Sequence, residues 1–143
     1  MGAWAWVVRE CVAQTVQAVP LVGSEVRAGF PSPAEDYVER PIDFNDLLIA
    51  NPAATFAVRV AGDSMSGDGI LPGDIAVVDR SVQAANDRVI LALVDGEFTL
   101  KRYRRRGGRV WLEASNPAYK PIPISDATEF ECWGSVRAVV RVL

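Results

Sequence analysis

From Thr55 onward, apolar and polar positions fall into short runs separated by turn residues. Phe56, Val58 and Val60 alternate with Ala57 and Arg59, the period-two pattern of a strand. Ile75 to Val78 is an apolar run bounded by Gly73-Asp74 and Asp79-Arg80. Val89 to Val94 and Glu97 to Tyr103 flank Asp95-Gly96, a two-residue hairpin signal. Gly107-Gly108 turns the chain into a further strand over Arg109 to Ala114, and a valine-rich stretch from Glu131 to Leu143 is broken once, at Gly134. Ahead of these strands, the spacing predicts a short helix over Phe44 to Ile49, with Asp43 as N-cap and Asn51-Pro52 as its stop. The pattern predicts a mainly-β fold, small antiparallel sheets forming a partly closed barrel with one short helix.

The first forty residues follow another rule. Gly23, Gly29 and the prolines at 20, 31, 33 and 41 break any long element, and Gly29 to Pro33 reads as extended or turn-like. An arm followed by a linker is expected. Within the arm, Trp4, Trp6 and Val8 alternate as a strand would, so it should dock on its own body or on a partner.

Composition narrows the chemistry. The chain has 143 residues, half of them hydrophobic and 23% charged, with a net charge of −3. That balance argues against a protein that lives by wrapping nucleic-acid backbone. There is no histidine, which excludes every Ser-His-Asp and Cys-His arrangement and every imidazole metal site. Two distant cysteines, Cys11 and Cys132, make neither a disulfide framework nor an all-Cys zinc site. No metal or cofactor is expected. Arg9 and Glu10 cut short the opening apolar run, so neither an export signal nor a membrane span is expected, and the reading is cytoplasmic.

A hydrolase built without histidine needs lysine, a carboxylate or a terminal amine as base. Two places qualify. The first is Ala61-Gly62-Asp63-Ser64-Met65-Ser66-Gly67-Asp68-Gly69-Ile70, where a strand ends in a glycine-rich turn that can present a hydroxyl and aim amides at one point. The second is Lys101, one of two lysines among 13 arginines. Arginine keeps its proton, whereas a desolvated lysine can lose it. On its own the first is a polar loop between strands, and the second a solvated surface residue. Together they offer a nucleophile and a base. At its ordinary pKa near 10.4, a neutral lysine at pH 7 costs about 4.6 kcal/mol, so the site would have to bury the amine. Period two places Lys101 on the face of Thr99 and Tyr103, opposite Phe98 and Leu100. The basic stretch Arg102 to Arg106 with Arg109 reads as a solvated hairpin end, Lys120 as a surface residue, Trp111 and Trp133 as core or dimer-interface aromatics, and Cys132 as a small buried hydrophobe.

Gly62-Asp63-Ser64-Met65, then Gly73 to Asp79, then Asp95 to Arg102 occur in an order and spacing that resembles the LexA/UmuD self-cleaving Ser–Lys peptidases. Asn116 to Ile122 and Phe30 to Glu39 also fit, so the resemblance runs from about Arg27 to the C-terminus. It implies the fold of the LexA C-terminal and UmuD domains, with Ser64 as nucleophile, Lys101 as general base, and backbone N–H groups of Asp63 and Ser64 as oxyanion hole. It also implies a cleavage bond before a glycine upstream of the domain, which Ala28-Gly29 matches. The chain would then divide into an arm, 1–28, removed by self-cleavage, a linker, 29–41, and a peptidase and dimerisation domain, 42–143. Twenty-eight residues are too few for a helix-turn-helix domain, which favours the UmuD branch. That branch implies a homodimer, stimulation by a RecA filament on single-stranded DNA, and later service as accessory subunit to a UmuC-type translesion DNA polymerase in the SOS response. The rival expectations are a dimeric binding module that never cleaves, and a LexA- or phage-repressor-like regulator without its DNA-binding domain. A type I signal peptidase also uses Ser and Lys, but at a membrane.

Overall fold

The computed structural model describes residues 17–22, 26, 28–29 and 38–143. The expectations for Trp4, Trp6, Val8 and Cys11 lie outside these residues. Strands β1 (Ala18–Val22) and β2 (Val38–Asp43) form an antiparallel ribbon, with Ala18 opposite Asp43 and Pro20 opposite Pro41. A pyrrolidine nitrogen has no hydrogen to give, so this facing pair must be one at which neither strand donates. β2 starts inside the stretch expected to be linker, because its prolines argue locally against a strand. Asp43 ends β2 and caps α1 (Phe44–Leu48), its carboxylate accepting the Asn45 N–H at 2.9 Å. The predicted helix is there, one residue shorter.

The body is a seven-stranded antiparallel sheet curved into a half-barrel. Its strands are β3 (Thr55–Arg59), β4 (Ile75–Asp79), β5 (Val89–Val94), β6 (Glu97–Arg106), β7 (Arg109–Glu113), β8 (Ile122–Ile124) and β9 (Phe130–Val140), in the order β3-β4-β9-β5-β6-β7-β8. The mainly-β expectation holds. β5 and β6 turn at Asp95-Gly96, where φ is positive at both residues, +48° and +84°, as a type I′ hairpin requires. β8 was not foreseen; it is three residues long with a proline at its centre, and it lies at the sheet edge.

β9 does not break at Gly134 but bulges there. Trp133 and Gly134 together stand opposite Leu91 of β5. Gly134 has φ +132°, and a Cβ at this position would lie 2.5 Å from the Asp79 carbonyl oxygen. The bulge lets β9 close against the end of β4 on one side and β5 on the other.

Apolar side chains cover both faces of the central strands. Ile90 and Ala92 pack with Leu112 on one face, while Leu91 packs with Phe56 and Val78 on the other. A strand buried on both faces has no use for alternation, which is why β5 reads as an unbroken Val-Ile-Leu-Ala-Leu-Val. A third cluster, Val60, Met65, Ile70 and Ala76, lies beneath the loop after β3. Full burial of each large aliphatic here contributes about 1.5–3 kcal/mol.

Candidate active site

β3 delivers the chain into the 61–72 loop, whose base is closed by Val60 N–H to the Asp74 carbonyl and Gly73 N–H to the Val60 carbonyl, both at 2.8 Å. Met65, 2% exposed, nails the loop into the core cluster, and the half-buried Ser64 precedes it. Lys101 comes from the middle of β6. Its Nζ lies 3.1 Å from Ser64 Oγ, 2.5 Å from Thr99 Oγ1 and 3.2 Å from the Leu100 carbonyl oxygen. The residue is 7% exposed, and burial pushes its pKa below the ordinary lysine value. No carboxylate pairs with it among the described residues.

Three oxygens surround the amine. Nζ donates to all three, and once it loses a proton two N–H bonds can stay on Thr99 and Leu100 while the lone pair turns to the Ser64 hydroxyl. Thr99 shares the Lys101 face through period two, a neighbour legible in the sequence whose role is not.

The serine loop is held from outside by the chain after β7. Ser115 N–H donates to the Ser64 carbonyl at 2.9 Å, and Gly67 N–H donates back to the Ser115 carbonyl at 2.7 Å. A Cβ on Gly67 would sit 2.3 Å from that oxygen, so only glycine permits the approach. Asn116 Nδ2 donates to the Asp63 carbonyl at 3.0 Å, and the Tyr119 hydroxyl to the Asp63 carboxylate at 2.6 Å. The hydrogen bond to Asp63 raises the Tyr119 pKa above its ordinary value. The backbone N–H groups of Asp63 and Ser64 have no acceptor among the described residues. On the far side, Arg141 grips Asp74 with two bonds of 2.6 Å and takes the Gly69 carbonyl at 2.9 Å. Asp74 is 1% exposed, and Arg141 holds its pKa at about 2.

A groove of about 690 Å³ runs beside β3 and ends at Ser64. Phe56, Val58, Leu91, Phe98 and Trp133 make its walls apolar. Trp133 meets Phe98 edge-on at 4.9 Å and lies under the Arg80 guanidinium at 4.5 Å. β3 is an edge strand of the sheet, so its free side can receive an extended peptide while side chains of that peptide enter the groove.

A Peptidase S24-like family model matches residues 20–137. The chain belongs to the Peptidase S24-like family. Among relatives of this S24-like chain, protein ImpA of Escherichia coli is 42% identical over 111 residues, covering 78% of this chain and 70% of ImpA. Protein SamA of Salmonella typhimurium strain LT2 is 42% identical over 122 residues, 85% of this chain and 84% of SamA. The LexA repressor of Acidothermus cellulolyticus is 41% identical over 128 residues, 90% of this chain but 45% of that repressor. The family is one of peptidases, and the LexA/UmuD resemblance read from the motifs stands.

In this S24-like fold, Ser64 and Lys101, 37 residues apart in sequence, come within hydrogen-bond reach. Ala28 and Gly29 do not join them; both are exposed in a bend, and neither lines the groove. Lys120 is exposed. In the basic stretch, Arg102 pairs with Asp68, Arg104 pairs with Asp87 and Glu113, and Arg105, Arg106 and Arg109 are exposed at the hairpin end. Cys132 is half-buried against the Ile90 cluster. Sequence reasoning gave no role to Thr99, Ser115, Asn116 and Tyr119, although the Asn116 to Ile122 block carried the signal. Among the described residues, no three His, Cys, Asp or Glu side chains group to hold a metal, and no helix is long and apolar enough to cross a membrane.

Proposed function

We propose that this S24-like protein is a serine endopeptidase that cuts its own Ala28–Gly29 bond. The observation that carries the reading is the 3.1 Å approach of a buried lysine amine to the hydroxyl of Ser64. Neutral Lys101 takes the Ser64 proton as Oγ bonds to the Ala28 carbonyl carbon. The Asp63 and Ser64 amides receive the resulting oxyanion. Collapse breaks the Ala28–Gly29 C–N bond, Lys101 returns its proton to the Gly29 nitrogen, and Gly29 leaves as a new N-terminus. Water, with Lys101 again as base, then cleaves the ester, freeing the Ala28 carboxylate and restoring Ser64.

The apolar groove and the free side of β3 support an extended peptide substrate. The bond lies between β1 and β2, so the segment must leave its exposed position to reach the serine. The regulation and later role that the LexA/UmuD resemblance implies belong to the same proposal. They are a homodimer, cleavage stimulated by a RecA filament on single-stranded DNA, and service of the 115-residue body as accessory subunit to a UmuC-type translesion polymerase.

The test is intact mass after incubation at neutral and mildly alkaline pH, with and without activated RecA filament. The expected product begins at Gly29, forms faster at higher pH, and is missing with Ser64→Ala and Lys101→Ala. An unchanged mass under every condition would leave a dimeric binding module and end the peptidase reading.

A further inference from the structure

We infer that Asn116 and Tyr119 are positioning residues that aim the Ser64 backbone amide into the oxyanion site. The inference rests on the Ser–Lys reading of the site.

The Asp63 carbonyl and the Ser64 N–H belong to one planar trans peptide, so they point in opposite directions. Fixing one fixes the other. Asn116 Nδ2 binds that carbonyl at 3.0 Å, so the Ser64 N–H points to the opposite side of the peptide from Asn116, and it has no acceptor among the described residues. Ser115 N–H fixes the next carbonyl, that of Ser64, at 2.9 Å. Tyr119 holds the Asp63 side chain at 2.6 Å and keeps the same peptide from rotating about its outer end.

Within the loop the Asp63 carbonyl also accepts the Ser66 N–H at 3.1 Å, so Asn116 and Tyr119 are what hold this peptide from outside the loop. Ala61, Gly62 and Asp63 are all exposed, and no strand pairs with them. The turn that restrains it is braced internally, by Ala118 N–H to Asn116 Oδ1 at 3.0 Å and Tyr119 N–H to the Asn116 carbonyl at 3.1 Å. The Tyr119 ring is 43% exposed, so its hydroxyl, rather than its burial, explains its placement. The bond to Asp63 raises the Tyr119 pKa, which favours the protonated hydroxyl that the bond itself needs.

The experiment measures self-cleavage against pH for Tyr119→Phe, Asn116→Ala, Asp63→Ala and the double Tyr119→Phe/Asp63→Ala, with Lys120→Ala as control. It also measures the 15N order parameters of the Asp63 and Ser64 amides in each chain. Tyr119→Phe and Asn116→Ala are expected to slow cleavage about tenfold at every pH, the rate equivalent of one hydrogen bond. The midpoint of the alkaline rise should stay put, because neither side chain touches Lys101. The double variant should be no slower than the slower single, since both changes break the same bond. The two order parameters should fall from about 0.85 toward 0.6 while β5 stays rigid. Rates within twofold of the parent, additive losses, or a shifted midpoint would overturn the inference. If the parent chain cuts nothing, the peptidase reading fails by itself. The order parameters then decide, and unchanged values in the single variants would end the positioning role too.

Discussion

An ammonium group on Lys101 would keep its charge at a cost, because β6 carries it into the barrel wall with no anion beside it among the described residues. Burial therefore lowers its pKa. Two outcomes follow at this position. Lys101→Arg should abolish self-cleavage while keeping the charge, because a guanidinium does not deprotonate. Lys101→Met should also abolish it but raise stability at pH 7 by about 1 kcal/mol, since a desolvated cation is replaced by an apolar chain of similar length. The sign for the parent chain follows from linkage. Between the lowered folded pKa and the unfolded value near 10.4, the unfolded chain binds more protons, so stability rises with pH across that window. Denaturant titrations at pH 7 and pH 10 read this slope, and Lys101→Met should lack it. The sequence made Ser64 and Lys101 visible as residue types, one hydroxyl on a glycine-rich turn and one lysine among arginines. It left unsaid which face of β6 is dry, so Thr99 was legible as a neighbour on the same face but not as an acceptor for the amine.

Elements were legible where local chemistry agrees with the fold. Asp95-Gly96 supplies two left-handed residues in a row, and Asp43 supplies a cap, so the β5–β6 hairpin and α1 could be placed from the chain itself. They were hidden where long-range approach decides. Gly134 looks like an interruption of a valine-rich strand because the Asp79 carbonyl it must admit is 55 residues away in sequence. Gly134→Ala should cost about 3 kcal/mol or more, combining φ strain with a backbone clash, and is read as a lowered denaturant midpoint. A drop of less than 1 kcal/mol would mean that β9 can straighten without loss. The β1–β2 ribbon was hidden for the opposite reason. Its local signals, Pro20 and Pro41, oppose a strand, and only their mutual register makes them harmless.

On the scale of the whole molecule, the C-terminal end is tied to the loop behind the serine by Arg141 and Asp74. With its folded pKa at about 2 and an unfolded value near 3.9, Asp74 contributes stability that is fully present above pH 4 and lost as pH falls toward 2. Asp74→Asn should flatten the melting temperature against pH in that window and lower it at pH 7, whereas a parallel curve would deny the clamp its role. The β1–β2 ribbon is held far more loosely. β1 and β2 form a ribbon of five and six residues with a register shift and a proline facing a proline, and Val19 and Leu21 remain exposed on it. A two-stranded ribbon by itself is barely stable in water. Ala28 and Gly29 thus lie between the strands of a weakly held ribbon, while Ser64 and Lys101 sit on a braced loop and an interior strand. On the proposed self-cleavage the ribbon would be a timer, the interval before the cut being set by how often it opens rather than by the chemistry.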